Sequence, residues 1–267
     1  MSVLQDLIVK FNSKKNAELY TRIIKEIQSA EKIWTAFSDA SNNYYLGNVN
    51  GSATAYLFSE KDFFDIFYVH EKQKGYDVRS AENPAEYRMA LLADLYRSGF
   101  ETIIIDSGQT YLKMSLFDII KKPQEQTDNK DTRLIVNPSL VRTACWFFQE
   151  NAKEPANEEM WKLLFTEIFK AEYIVPADTR NLKIDGVKSG KIKLGKNSEV
   201  SFPVLQNSEG KSYYPFFTDW NELRKYDMNS NYSVLAANFK DLQRFAGKAD
   251  GIVINPYGAN IILTSDM

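Results

Sequence analysis

The segment LGNVNGSATAYLFSE, residues 46–60, has a counterpart later in the same chain, LQNSEGKSYYPFFTD at residues 205–219. The two segments share leucine, asparagine, glycine and phenylalanine at equal offsets. Asn50-Gly51 is a strong signal for a two-residue hairpin turn, because both residues tolerate positive φ angles, and the second segment has the weaker Glu-Gly pair at that place. Each segment therefore predicts a strand, a tight turn and a second strand.

Helical patterns surround both copies of this hairpin in the same order. Residues 16–31 align with residues 157–172 without a gap, and both stretches space their apolar residues as one buried helical face does. The sequences DLYR at 94–97 and DLQR at 241–244 mark a later helix, which a short aliphatic strand follows in each case. The chain therefore predicts an α+β fold of two tandem related units, each a small mixed sheet packed with helices.

A polar stretch separates the two units. The sequence KKPQEQTDNKDTR, residues 121–133, contains no aliphatic or aromatic residue and cannot contribute to a core. We predict a first unit at 1–120, a polar linker at 121–136 and a second unit at 137–267. Each unit begins with its own N-terminal helices.

The composition excludes several classes of function. The formal net charge is -2, which argues against the basic surface that nucleic-acid binding requires. No run of about 18 apolar residues occurs, and no basic segment leads into an apolar stretch near Met1, so no membrane partner is expected. Cys145 is the only cysteine, which suits a reducing compartment. We expect a cytoplasmic protein.

Metal and cofactor sites are not predicted. His70 is the only histidine, so the usual zinc ligand sets cannot be assembled from it and one cysteine within a monomer. We expect His70 at the end of a strand and Cys145 buried in a helix. The chain also lacks both common glycine-rich phosphate-binding motifs, so no cofactor is expected.

The sequence IIIDSGQ, residues 103–109, resembles the active-site signature of aspartic proteases. That chemistry needs two carboxylates that share a proton. The position that matches Asp106 in the second unit is Asn255, so a monomer cannot supply the pair. Pairing of Asp106 from two copies is left as an alternative, although the many predicted helices do not fit an all-β protease fold.

The closing turn of the second unit, Asn255-Pro256-Tyr257-Gly258, has residues that suit a tight turn at each position. Nearby, FFTDWNELRKYDM at 216–228 is rich in aromatic residues. Its spacing predicts a helix that buries Phe217, Trp220 and Leu223 and exposes Asp219 and Glu222. A groove in this region would bind a ligand or a partner through Asp219, Trp220, Asn255, Pro256, Tyr257 and Gly258.

The order of three segments resembles the N-terminal-type domain of the enhanced serine sensitivity protein SseB family. These segments are YPFFTDWNELRKY, YSVLAANFKDLQRFA and ADGIVINPYGANIILT, within residues 214–264. AYLFSEKDFFDIFY, LLADLYRSGFETIIID and TYLKMS look like a more divergent second example in the first unit. The resemblance implies an α+β domain with a small mixed sheet, and it implies no catalytic residues.

Two functional hypotheses follow. The first is a non-enzymatic cytoplasmic interaction or regulatory protein, because no catalytic constellation is recognisable in the sequence. The alternative is a carboxylate-dependent hydrolase or transferase whose acidic residues meet only in the fold, including a dimeric use of Asp106. The expected partner is another protein, and the sequence does not determine the oligomeric state.

Overall fold

The computed structural model describes residues 1–122, 134–180, 184–188, 191–194, 200–246 and 249–264. Most of the predicted linker, 123–133, therefore lies outside the described residues. The chain forms two compact units. The first takes its described residues from 1–133 and 137–167, and the second from 134–136 and 168–267.

The first unit contains α-helices, a mixed sheet and two short 3-10 turns. Its elements are α1 (Val3–Lys14), α2 (Ala17–Ser29), β1 (Lys32–Ser38), β2 (Asn43–Tyr44), β3 (Gly47–Val49), β4 (Ser52–Phe58), α3 (Lys61–Gln73), β5 (Val78–Pro84), α4 (Arg88–Arg97), β6 (Thr102–Ile105), β7 (Leu112–Ser115), α5 (Pro138–Asn151) and α6 (Glu158–Lys170). The last turn of α6 belongs to the second unit.

The sheet of the first unit is built around β4, which pairs in parallel with β6 and antiparallel with β1 and β3. β7 continues the sheet beyond β6, and β5 pairs with β1. The largest buried cluster lies between this sheet and the helices. It includes Leu4, Ile8, Ile23, Ile27, Leu57, Leu92, Phe100, Ile103, Ile105 and Leu116.

The second unit has a similar order of elements after the helices, with an additional pair of strands that forms its own sheet. Its elements are β8 (Glu172–Ala177), β9 (Ile184–Lys188), β10 (Lys191–Leu194), β11 (Leu205–Gln206), β12 (Ser212–Phe216), α7 (Trp220–Tyr226), β13 (Ser233–Asn238), α8 (Phe239–Ala246), β14 (Gly251–Ile254) and β15 (Ile261–Thr264). β12 and β14 are parallel, as β4 and β6 are, and β8 pairs with β13 as β1 pairs with β5. The predicted α+β fold with mixed sheets is confirmed.

The matched entry helices also begin in the same way. The side-chain oxygen of Asn16 accepts hydrogen bonds from the first backbone N–H groups of α2, and Asn157 accepts one from Met160 at the start of α6. An asparagine before the first turn stabilises a helix by satisfying N–H groups that have no partner within it. The gap-free alignment of 16–31 with 157–172 therefore aligns the two asparagines that cap α2 and α6.

α5 and most of α6 are predicted from sequence to belong to the second unit, whereas residues 137–167 are grouped in space with the first. The Gln149 side chain accepts from the backbone N–H of Leu46 at 2.8 Å and donates to the Leu46 carbonyl at 3.1 Å. The Tyr76 hydroxyl donates to Glu150. These bonds attach α5 to the first unit, although its sequence precedes the second.

Arg88 is the largest fully buried polar side chain of the first unit. Its guanidinium donates to the backbone carbonyls of Ile27 at 2.6 Å, Asn83 at 2.7 Å and Ala30 at 3.1 Å. Ala30 ends α2, where the helix dipole favours a positive charge. Burial lowers the pKa of Arg88. One side chain thus joins α2, β5 and the start of α4.

We predict that Arg88→Met lowers the free energy of unfolding by about 3 kcal/mol or more, because three buried carbonyls lose a charged donor. Chemical denaturation of the whole chain measures this change. Arg22→Met is the matched control, since Arg22 is exposed on α2 and should change stability by less than about 0.5 kcal/mol. Equal effects of the two substitutions would contradict the structural role of Arg88.

Candidate functional site

The two closing turns occupy the same place in the two units. Asp106 and Asn255 both have positive φ angles, 59° and 51°. Each donates its backbone N–H to the neighbouring parallel strand, to the carbonyl of Leu57 and of Phe216 respectively, at 2.9 Å in both cases. Asn and Asp tolerate the left-handed conformation better than other non-glycine residues. Both residues therefore adopt the turn conformation that the sequence predicts for an Asx residue.

The side chains of these two residues tie the turn to the strand beside it. Asp106 accepts the backbone N–H of Ser59 at 2.7 Å and the Ser59 hydroxyl at 2.8 Å. Asn255 accepts the backbone N–H of Thr218 at 3.0 Å and donates its Nδ2 to the Thr218 hydroxyl at 2.8 Å. Asn255, a predicted binding residue, is therefore buried, and its side chain forms hydrogen bonds within the unit.

Asp219 is the N-cap of α7, and its side chain forms hydrogen bonds within the protein. It accepts hydrogen bonds from the backbone N–H groups of Asn221 at 2.8 Å and Glu222 at 3.1 Å, and from the Thr218 hydroxyl at 3.0 Å. The expected exposure of Asp219 and Glu222 is wrong, since only 5% and 7% of their surfaces are accessible. Asp219 turns inward because it caps the helix.

Gly258 packs its backbone against the buried Glu222. A Cβ atom added at Gly258 would lie 2.5 Å from Glu222 Oε2, so the Glu222 carboxylate would have to move to accommodate a side chain there. Lys225 pairs with the other carboxylate oxygen. The closing turn and α7 are therefore held together by a close contact, and Gly258 contributes to packing through its lack of a side chain.

Tyr257 and Trp220 are the predicted site residues with substantial exposed area, 52% and 37%. The expected burial of Trp220 beside Phe217 and Leu223 is wrong; only the latter two enter the core. Pro256 is partly buried. The exposed part of the predicted site is thus aromatic.

The Tyr257 ring belongs to a stack of three tyrosines that no sequence pattern predicts. Its centroid lies 6.3 Å from that of Tyr226, which lies 5.9 Å from that of Tyr232, with interplanar angles of 27° and 19°. Burial raises the pKa of the Tyr226 hydroxyl. We call Tyr226, Tyr232 and Tyr257 the tyrosine stack.

Buried groups fix the tyrosine stack from below. Tyr226 packs against Phe217 at 5.5 Å between centroids. Asp227 is buried and accepts the backbone N–H groups of Asn231 at 2.8 Å and Tyr232 at 3.0 Å, which orients the loop that carries Tyr232. Rigid tyrosine rings provide contact area at a small cost in side-chain entropy. This arrangement suits binding to a protein surface.

The geometry gives no support to the carboxylate-dependent enzyme. Asp106 has no accessible surface, and both of its oxygens accept from Ser59, so it cannot approach a substrate or a second copy. Burial raises its pKa to about 6, against the lowering effect of the Ser59 hydrogen bonds. Asp219 is buried as a helix cap. The two acids named from sequence are therefore structural.

The described residues contain no group of three His, Cys, Asp or Glu side chains that could hold a metal ion. Cys145 is buried in α5, as expected. The expectation for His70 is wrong, because this residue lies within α3 rather than at a strand end, with an exposed ring. The helix continues past His70, and its buried face runs through Phe64, Phe67 and Glu71 at helical spacing.

Residues 150–267 match the family model described as the SseB protein N-terminal domain. The matched range begins within α5 and covers less than half of the chain. No match was found among curated proteins. None of the helices within the described ranges is long and apolar enough to cross a membrane.

Two solved structures are similar to the chain. Tic22 from Plasmodium falciparum has 14% identity over 82% of this chain and 84% of that protein, with a TM-score of 0.19. Anabaena Tic22, described with the words protein transport, has 8% identity over 86% of this chain and 90% of that protein, also with a TM-score of 0.19. Similarity at this level does not extend to function.

We predict that Asp106→Asn stabilises the protein at neutral pH, by about 3 kcal/mol at most. The folded state holds the Asp106 proton more strongly than the unfolded chain does, so the wild-type loses stability as the pH rises through about 6. The variant lacks this loss. Denaturation at several pH values should show an advantage that shrinks as the pH falls below about 6.

Asn255→Asp is the matched control, because it places a carboxylate in the equivalent buried turn. We expect it to lower stability at neutral pH and to recover part of the loss in acid. Identical pH dependence of wild-type and Asp106→Asn would show that the Asp106 carboxyl group titrates as it does in the unfolded chain.

Proposed function

We propose that this is a non-enzymatic cytoplasmic protein that binds another protein through an aromatic surface of its second unit. The surface consists of Trp220 and the tyrosine stack. The observation that carries the proposal is the exposure of Tyr257 on a three-ring stack whose lower members are held by buried groups. Tyrosine and tryptophan are enriched among the residues that contribute most to protein interfaces.

The predicted site residues divide into two roles in this proposal. Tyr257 and Trp220 would contact the partner, with Pro256 beside them. Asp219, Asn255 and Gly258 would hold the contact residues in place through the cap, the turn and the close packing described above. A surface that is already ordered loses less side-chain entropy when it binds.

The first unit lacks the same surface. If Asp106 is aligned with Asn255, Gly108 takes the place of Tyr257, and the alignment of 46–60 with 205–219, extended by one residue, puts Lys61 in the place of Trp220. We infer that the two units are copies of one domain with sequence boundaries at 1–120 and 137–267, and that partner binding was acquired or retained by the second copy alone. The matching strand pairing supports this inference.

The proposal places the protein in the cytoplasm without nucleic-acid or membrane partners and without a cofactor. A net charge of -2 disfavours binding to phosphates, and a single buried cysteine suits a reducing compartment. Binding of a protein partner needs neither a metal nor a catalytic carboxylate.

We predict that Tyr257→Ala and Trp220→Ala each reduce the recovery of a co-purifying partner by about fivefold or more, since interface aromatic residues often contribute over 1 kcal/mol. Native affinity purification of the tagged chain, with quantitative mass spectrometry, measures recovery. The thermal stability of both variants should stay close to that of the wild-type, because both side chains are exposed.

Tyr111→Ala is the matched control, because Tyr111 is comparably exposed in the first unit, immediately before β7. It should leave recovery unchanged. The proposal fails if no protein co-purifies with the wild-type, or if the Tyr257→Ala, Trp220→Ala and Tyr111→Ala variants recover the partner equally.

A further inference from the structure

β13 lies at an edge of its sheet. Within the described residues it pairs only with β8. Both backbone hydrogen bonds of Ile174 in β8 go to Phe217, at 2.9 Å each, on the side away from β13. Ala236 is opposite Ile174, so it forms a non-hydrogen-bonded antiparallel pair. The N–H and C=O groups of Ala236 therefore point outward from the edge.

Alternation along the strand gives Val234 and Asn238 the same outward direction. The N–H of Asn238 already donates to the Asp241 carboxylate at 3.1 Å. The outward groups that can accept a new strand are thus the N–H and C=O groups of Val234 and Ala236, because Asn238 caps the start of α8. These groups belong to alternate residues of the strand, which is the spacing that hydrogen bonds to a neighbouring β-strand require.

The edge of β13 lacks the features that usually protect exposed strands. Charged side chains and proline at an edge discourage the addition of another strand. β5, in the matching position of the first unit, contains Arg79, Glu82 and Pro84, and Glu82 pairs with Lys32 across the sheet. β13 has the sequence SVLAAN, with no charge and no proline.

A groove of about 380 Å³, with apolar residues and the Asp241–Arg244 ion pair in its wall, runs beside this edge on the side of α8. It is lined by Val175, Phe202, Leu235, Ala236, Ala237, Asp241 and Arg244. Val175 and Ala237 are buried, while 46% of the Leu235 surface is exposed. Alternate side chains of an added strand would lie over Leu235 and enter this groove, which favours apolar residues at those positions.

We propose that an extended segment of another protein, with apolar residues at alternate positions, binds by adding a strand to β13. This site goes beyond the aromatic surface proposed above and does not depend on it. A segment fits better than a second folded copy. The edge has only six residues, so the surface area that it can bury is small. Each partner of a stable dimer buries roughly 800 Å².

Short synthetic peptides in which valine or leucine alternates with threonine are the probes. Added to the isotope-labelled full chain, they should shift the amide resonances of Val234 and Ala236 and slow hydrogen exchange at these two positions. Two N-methylated versions separate strand addition from general stickiness. N-methylation at one set of alternate residues should abolish binding, and methylation of the other set should leave it intact, because only one set faces β13.

Ala236→Pro removes an outward N–H without breaking a bond to β8, and edge strands tolerate proline at such positions. It should weaken peptide binding by about tenfold, which corresponds to one or two lost backbone hydrogen bonds. The matched control is Ser80→Pro in β5. Ser80 is opposite Ala36, whose carbonyl accepts from Tyr45 on the other side, so its N–H also points outward.

Leu235→Glu provides a second variant that keeps every backbone group, and it should weaken binding of the apolar peptides through the groove. Four results would overturn the proposal. These are no binding by any peptide, equal binding by both N-methylated versions, binding that shifts only Trp220 and the tyrosine stack, and protection of β13 by self-association of the chain without peptide.

Discussion

The pairing of two parallel strands, closed by an Asx residue in the left-handed conformation, is the constraint on which each unit depends. Asp106 and Asn255 end β6 and β14, reverse the chain and bond Ser59 and Thr218, which lie one and two residues after the parallel strands β4 and β12. One side chain thereby sets where the neighbouring strand ends. Since the next residue, Glu60 or Asp219, is the N-cap of a helix, the start of that helix is fixed as well.

The consequence is clearest in the second unit. Thr218, bonded by Asn255, is followed at once by Asp219, which caps α7. α7 begins after this cap, and Tyr226 at its other end stacks with Tyr257. The exposed ring is therefore supported by the same backbone geometry that terminates the strand. A turn that looks purely structural in sequence also positions the surface proposed to bind a partner.

The parts of this structure that were predictable from sequence are those determined by neighbours along the chain. Hairpin turns, the asparagine caps of α2 and α6 and the Asx closing turns depend on a few consecutive residues. The burial of Asp219 and Glu222 was not predictable from periodicity, because a helix of seven residues has too few turns to define a face and the cap overrides it. The tyrosine stack unites residues from three separate segments, so no local pattern marks it.

Whether an apolar strand lies in the interior or at the edge of a sheet depends on which strands pair with it. SVLAAN in β13 has the composition of a buried strand, and its place at an edge follows only from which side of β8 bonds Phe217. β5 holds the same place in the first unit but carries charged residues and a terminal proline. β5 and β13 thus occupy matching edge positions, but only β5 has the charged residues and the proline that discourage pairing with an additional strand. Because Tyr232 immediately precedes β13, the unprotected edge and the tyrosine stack are adjacent along the chain. The features that favour association therefore converge on the second unit, and the shared fold alone does not account for them.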